Sequence, residues 1–162
     1  MEDILILITG GTLDKVHDTL SESLVLDPTC GTAVPQILVQ GRARSVRTQV
    51  LMQIDSLDMT DNHRAKIMDA VLSAPEDRIV ITHGTGTMEL TAKALNGHTE
   101  DKTIILTGAM RPHSLGRSDA GFNLGGAMIA AQALPAGVYG VMNGRTFTAD
   151  ELHKNVTTGR FD

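Results

Sequence analysis

Short apolar runs that do not alternate with polar residues constrain this chain more than any other feature. They occupy residues 4–8, 49–54, 78–82, 103–107 and 138–142. A strand with one wet face alternates apolar and polar residues. A strand apolar on both faces belongs to a parallel sheet covered by helices above and below. Helical patterns lie between the runs. They are 61–72 (DNHRAKIMDAVL, with Asp61 available as a cap), 87–95 (TMELTAKAL, with Thr87 and Glu89 near its start), 119–134 (DAGFNLGGAMIAAQAL, stopped by Pro135) and a weaker 33–39. This alternation predicts an α/β fold: a doubly wound, mostly parallel sheet of five or more strands with helices on both faces, a flavodoxin- or Rossmann-like three-layer sandwich. Residues 1–162 are expected to form one domain. Residues 13–31, and the chain from 143 onward, read as long irregular segments of the kind that form lids or binding loops.

Composition narrows the function classes. Aromatic residues make up 2% of the chain and hydrophobic residues 41%, so the core must be aliphatic, with Met68, Met88 and Met128 filling gaps and Tyr139 packing inside its strand. A net charge of −5 gives no basic footprint for nucleic acid. Cys30 stands alone, which suits a reducing compartment. Glu2 and Asp3 replace the basic start of a secretory signal, and no apolar segment approaches the roughly 20 residues of a membrane helix. The expectation is a soluble, cytoplasmic protein with no membrane partner.

In a sheet of this kind ligands bind beyond the carboxyl ends of the strands. Those ends read TGGT (9–12), DSLD (55–58), HGTGT (83–87) and GAMR (108–111), all small, hydroxylated or charged. Their convergence on one rim is the first functional expectation. Each segment alone has a plainer reading. Gly10-Gly11 is a turn and Thr12 a filler, unless the glycines admit a ligand that the hydroxyl faces. His83 to Glu89 is an anion-binding helix entry or an ordinary turn. The dinucleotide fingerprint fails there, because Glu89 stands in place of the third glycine, and no Walker A pattern exists. His83 reads as structural, with no metal-ligand partners at a suitable spacing. Lys154 is solvated unless the C-terminal stretch folds back onto the rim.

Together the segments resemble the bacterial-type L-asparaginases, amidohydrolases with a threonine nucleophile. ITGGTL (8–13) is similar to the first signature of that family, QIDSLDM (53–59) to its substrate-binding segment, and THGTGTME (82–89) to its second signature. TGAMRP (107–112) with SDAGFNL (118–124), and KNVTT (154–158), match two further regions. The resemblance covers nearly the whole chain as the N-terminal domain of the family, in a short form without the C-terminal domain. It implies Thr12 as the nucleophile, with Thr85 and Lys154 as its catalytic partners. It also implies substrate contacts from Gly11, Asp55, Ser56, Leu57, Gly84, Gly86 and Ala109. Ser56 would hold the substrate carboxylate, and the Ala109 carbonyl would receive the amide hydrogens. No metal or organic cofactor is implied. The implied partners are a small-molecule amide substrate and further copies of the chain in a homo-oligomer.

The chain departs from the family pattern at three places. Gly86 stands where the family has an aspartate that partners the lysine and binds the substrate ammonium. Leu57 stands where a glutamine is common. Residues 13–30 contain no tyrosine. The anion-binding half of the site is retained and the cation-binding half is depleted. Asp55, Asp58, Asp14 and Glu22 are candidate replacement carboxylates, and Lys15 and His17 are candidate stand-ins for the tyrosine. The leading expectation is hydrolysis of asparagine to aspartate and ammonia through a threonine acyl-enzyme. The alternatives are an amidase or esterase on a carboxylate lacking the ammonium, and an impaired dicarboxylate-binding module. A dinucleotide-binding domain ranks below all three.

Overall fold

The computed structural model describes residues 3–162. Its centre is a sheet of six strands. Five run parallel: β1 (Ile4–Gly10), β4 (Val46–Ile54), β5 (Arg78–Thr82), β6 (Thr103–Thr107) and β7 (Gly137–Met142). The sixth, β8 (Arg145–Thr148), folds back antiparallel on β7. The order is β4-β1-β5-β6-β7-β8. Counted along the sheet strands alone, the parallel part runs 2-1-3-4-5, the flavodoxin-like arrangement.

The apolar runs are continuous because each strand feeds two cores. Leu5, Leu7, Ile79, Ile81, Ile104 and Leu106 pack against Ile67 and Val71 of α2 (Asp61–Ser73) and Met88, Ala92 and Leu95 of α3 (Met88–Leu95). Ile4, Ile6, Ile8, Val80 and Ile105 point the other way. They meet Val34 and Ile37 of α1 (Val34–Gln40) and Ala120, Leu124 and Ala127 of α4 (Ala120–Ala133). Every residue of β1 is buried, as a central strand requires.

Three local expectations are corrected. β4 is not buried on both faces: it is an edge strand, with Thr48, Gln49 and Val50 exposed. α2 is capped by Thr60 rather than Asp61. The Thr60 hydroxyl accepts from the His63 N–H, and the His63 ring accepts in return from the Thr60 N–H. The segments read as irregular contain short antiparallel pairs: β2 (Val16–Asp18) with β3 (Ser23–Val25), and β9 (Lys154–Asn155) with β10 (Arg160–Phe161).

One topological fact positions the site. The chain leaves β1 toward α1 on one face of the sheet and leaves neighbouring β5 toward α3 on the other. The chain thus diverges to opposite faces after β1 and β5, the place in such a sheet where ligands bind beyond the carboxyl ends of the strands. Thr12 follows β1 and Thr85 follows β5.

Candidate active site

The two loops meet at their glycines. Gly11 has φ 84° and ψ −175°, a conformation essentially confined to glycine. A Cβ there would collide with the backbone of Gly84. Main chain thus lies directly on main chain, and Thr12 and Thr85 are the residues that follow the contact. Among the described residues the N–H groups of Thr12, Thr85 and Gly86 have no acceptor, and the Thr12 hydroxyl has no hydrogen-bond partner. Thr12 is half-buried and Thr85 is buried.

Lys154 arrives from the far end of the chain. Its Nζ donates to Thr85 Oγ1 at 2.8 Å. The tail that carries it is anchored on both sides. Leu152 and Phe161 are buried in the α2–α3 core, and the Phe161 N–H donates to Asn143 Oδ1 at 2.9 Å. Folding back onto the rim was the condition for Lys154 to matter, and the tail meets it.

The loop after β4 closes the third side. Ser56 is buried, with its side chain 2.6 Å from where a Cβ of Gly84 would stand. Its hydroxyl accepts from the Thr87 N–H at 3.2 Å, and its own proton has no acceptor among the described residues. Thr87, at the start of α3, makes no side-chain cap bond. Its hydroxyl donates to the Ser56 carbonyl at 2.7 Å instead. Leu57 is exposed and covers Gly86: a Cβ at 86 would lie 2.9 Å from Leu57 Cδ2 and 3.2 Å from Ser56 Oγ. Asp55 accepts from the Leu57 N–H at 3.0 Å and from Lys15 Nζ at 2.6 Å. Those hydrogen bonds, the one from Lys15 foremost, hold its carboxyl below the usual range.

The loop after β6 is wired from α4. The Met110 and Arg111 N–H groups donate to the Asp119 carboxylate, and Asn123 Nδ2 donates to the Gly108 carbonyl at 2.9 Å. Ala109 between them is buried, and its carbonyl accepts no bond from the described residues. The loop is joined to β5 by the His83 N–H, which donates to the Thr107 carbonyl at 2.9 Å.

The candidate carboxylates separate. Asp14 is 4% exposed, and one of its oxygens accepts from the Thr32 hydroxyl and the Ala33 N–H, so it serves the loop's own fold. Glu22 is exposed in the β2–β3 turn at φ 55°. Asp58 is exposed and shares a cleft with Lys15 and Asp55. Of the candidate stand-ins for the tyrosine, His17 is exposed, and Lys15 holds Asp55. No cluster of three or more His, Cys, Asp or Glu that could hold a metal ion occurs among the described residues. No helix among them is long and apolar enough to cross a membrane.

The family profile "Asparaginase, N-terminal" matches residues 3–162. This chain belongs to the asparaginase family. L-asparaginase 2 of Escherichia coli is 32% identical over 98% of this chain and 48% of its own length. The glutaminase-asparaginase of Acinetobacter glutaminasificans is 32% identical over 95% of this chain and 50% of its own length. Among solved structures, the thermostable L-asparaginase of Thermococcus kodakarensis superposes with a TM-score of 0.83. It is 26% identical, covering 98% of this chain and 50% of that one. The chain spans about half the length of the asparaginases it matches.

In this asparaginase-family chain the sequence left part of the support unread. Arg64 is buried behind the site, donating to Thr91 Oγ1 and Thr87 Oγ1, each at 3.1 Å. Through Thr87 it fixes Ser56. The signal was its spacing: Arg64, Ile67 and Val71 share one helical stripe, so the arginine sits at a core position.

Proposed function

We propose that this chain is an amidohydrolase of the asparaginase type, hydrolysing the side-chain amide of L-asparagine, or of a carboxylate amide of the same length, through an acyl-enzyme on Thr12. The observation that supports this reading is the 2.8 Å bond from Lys154 to Thr85, together with the close backbone approach of Gly11 and Gly84, the residues that precede Thr12 and Thr85. The Thr12 oxygen attacks the amide carbon, and its proton passes to the Thr85–Lys154 pair. The oxyanion is received by the unpartnered N–H groups at 12 and 85, donors of a kind whose single loss costs about 10²–10³ in rate. The C–N bond breaks, ammonia leaves with the returned proton, and water then cleaves the ester to give the free carboxylate and regenerate the hydroxyl. The Ser56 hydroxyl, with its proton unused, binds the substrate carboxylate. The Ala109 carbonyl accepts from the amide.

The test is ammonia release from L-asparagine and L-glutamine. Thr12→Ala should abolish turnover, and Lys154→Met should lower kcat by about 10²–10⁴, the range of a lost proton-transfer partner. Turnover that survives Thr12→Ala refutes the reading.

A further inference from the structure

We infer that the site selects an amide whose chain carries a carboxylate and no ammonium group, such as the monoamide of succinic acid. The inference rests on the acyl-transfer reading above and names its substrate class. It starts from the charge on the rim. Lys15 brings an ammonium group to the loop after β4 and pairs there with Asp55. That carboxylate has both oxygens engaged, one by Lys15 at 2.6 Å and the other by the Leu57 N–H at 3.0 Å. Asp58 lies in the same cleft but is exposed to solvent, where an ion pair contributes little.

Beside Gly86 the wall is the side chain of Leu57, next to Ser56. Gly86 contributes no side chain, and Leu57 occupies the space one would enter. Leu57 is 75% exposed, so the chain presents an isobutyl group to the opening at the point where Ser56 and Gly86 meet. A substrate ammonium brought beside Gly86 would meet a methyl group of Leu57, and the carboxylate of this loop, Asp55, is already paired with Lys15. Desolvating an ion without a partner is unfavourable. A methylene at the same position loses nothing and gains contact with Leu57. The substrate carboxylate meets the opposite situation, with the Ser56 proton free to donate to it. The reaction balances as before: the amide C–N bond is replaced by the Thr12 ester and then by water, giving a dicarboxylate and ammonia.

The test separates binding from turnover. Calorimetry of the unmodified protein with the two products, succinate and L-aspartate, should show succinate bound at least about tenfold more tightly. The double variant Gly86→Asp/Leu57→Ala supplies a carboxylate and makes room for it, and should reverse that order. Lys15→Met frees Asp55 and should narrow the gap without new bulk. Equal or tighter binding of L-aspartate by the unmodified protein, or binding of neither, overturns the inference. So does a ratio unmoved by Gly86→Asp/Leu57→Ala. Ammonia release from succinamate and L-asparagine is measured alongside. Tight succinate binding without release of ammonia from either amide supports the inference while refuting the acyl-transfer reading.

Discussion

His83 gives the structure a pH signature that can be calculated. Its side chain is fully buried under the Gly84–Thr85 turn. Nδ1 lies 2.7 Å from the Gly84 carbonyl, which can only accept, so the proton sits on Nδ1. Nε2 therefore accepts, from the Thr91 hydroxyl at 2.7 Å, while Thr91 accepts from Arg64. A second proton on the ring would turn that bond against itself. Burial foremost, with the Arg64 charge adding to it, pushes the imidazole down from 6.5 to about 4. The unfolded chain takes up the proton first as pH falls. The stabilisation is thus complete above the unfolded value and is lost between it and the folded one. A gap of about 2.5 pH units corresponds to about 3 kcal/mol, of which about 2 kcal/mol is gone by roughly pH 5. The assay is urea unfolding followed by far-ultraviolet circular dichroism, for the unmodified protein and His83→Asn, across this range. Asparagine keeps a donor for Gly84 and does not titrate. Other groups titrate alike in both proteins, so the stability difference between them should shrink by about 2 kcal/mol from neutrality to roughly pH 5. A difference that stays constant refutes the account of a buried neutral imidazole.

Three further outcomes follow from single contacts. Gly11→Ala combines a backbone conformation closed to other residues with a collision against Gly84, and should cost on the order of 3 kcal/mol in urea unfolding. Arg64→Met removes the donors that hold Thr91 and Thr87 and should cost about 2–3 kcal/mol. Arg64→Lys should not restore it, because one ammonium lacks the fork that reaches both hydroxyls. Asp14→Asn keeps an acceptor for Thr32 and Ala33 but sets an amide NH2 where the buried second oxygen has no partner, so stability at neutral pH should fall by about 1–3 kcal/mol.

The parallel sheet was legible because strands such as 78–82 and 103–107 feed both cores and carry no polar face. β4 misled because its run at 49–54 is that of a partly covered edge, and no sequence pattern says which strand ends a sheet. The β2–β3 pair was hidden because three-residue strands are too short to show a period. What locates it is Asp18, which accepts from the N–H groups of Leu20 and Ser21 and so makes the turn. In the site, the glycines alone left Thr12 a filler, and Thr12, Thr85 and Lys154 were legible only through the resemblance to the asparaginases. The residues alone left Lys154 solvated, since its place depends on Leu152 and Phe161 finding a core assembled from the rest of the chain. Lys15 was legible as a loop cation, and its partner Asp55 was not: that pairing joins residues 40 apart across two loops.

The central claim is that the threonine set beside Thr85 and Lys154 becomes covalently acylated. Acid-quenched reaction with succinamate or L-asparagine, followed by proteolysis and peptide mass spectrometry, reads this directly. An acyl group is expected on the peptide containing Thr12, absent in Thr12→Ala and diminished in Lys154→Met. An acyl group on a different residue, or sustained turnover with Thr12 unmodified, would contradict the claim.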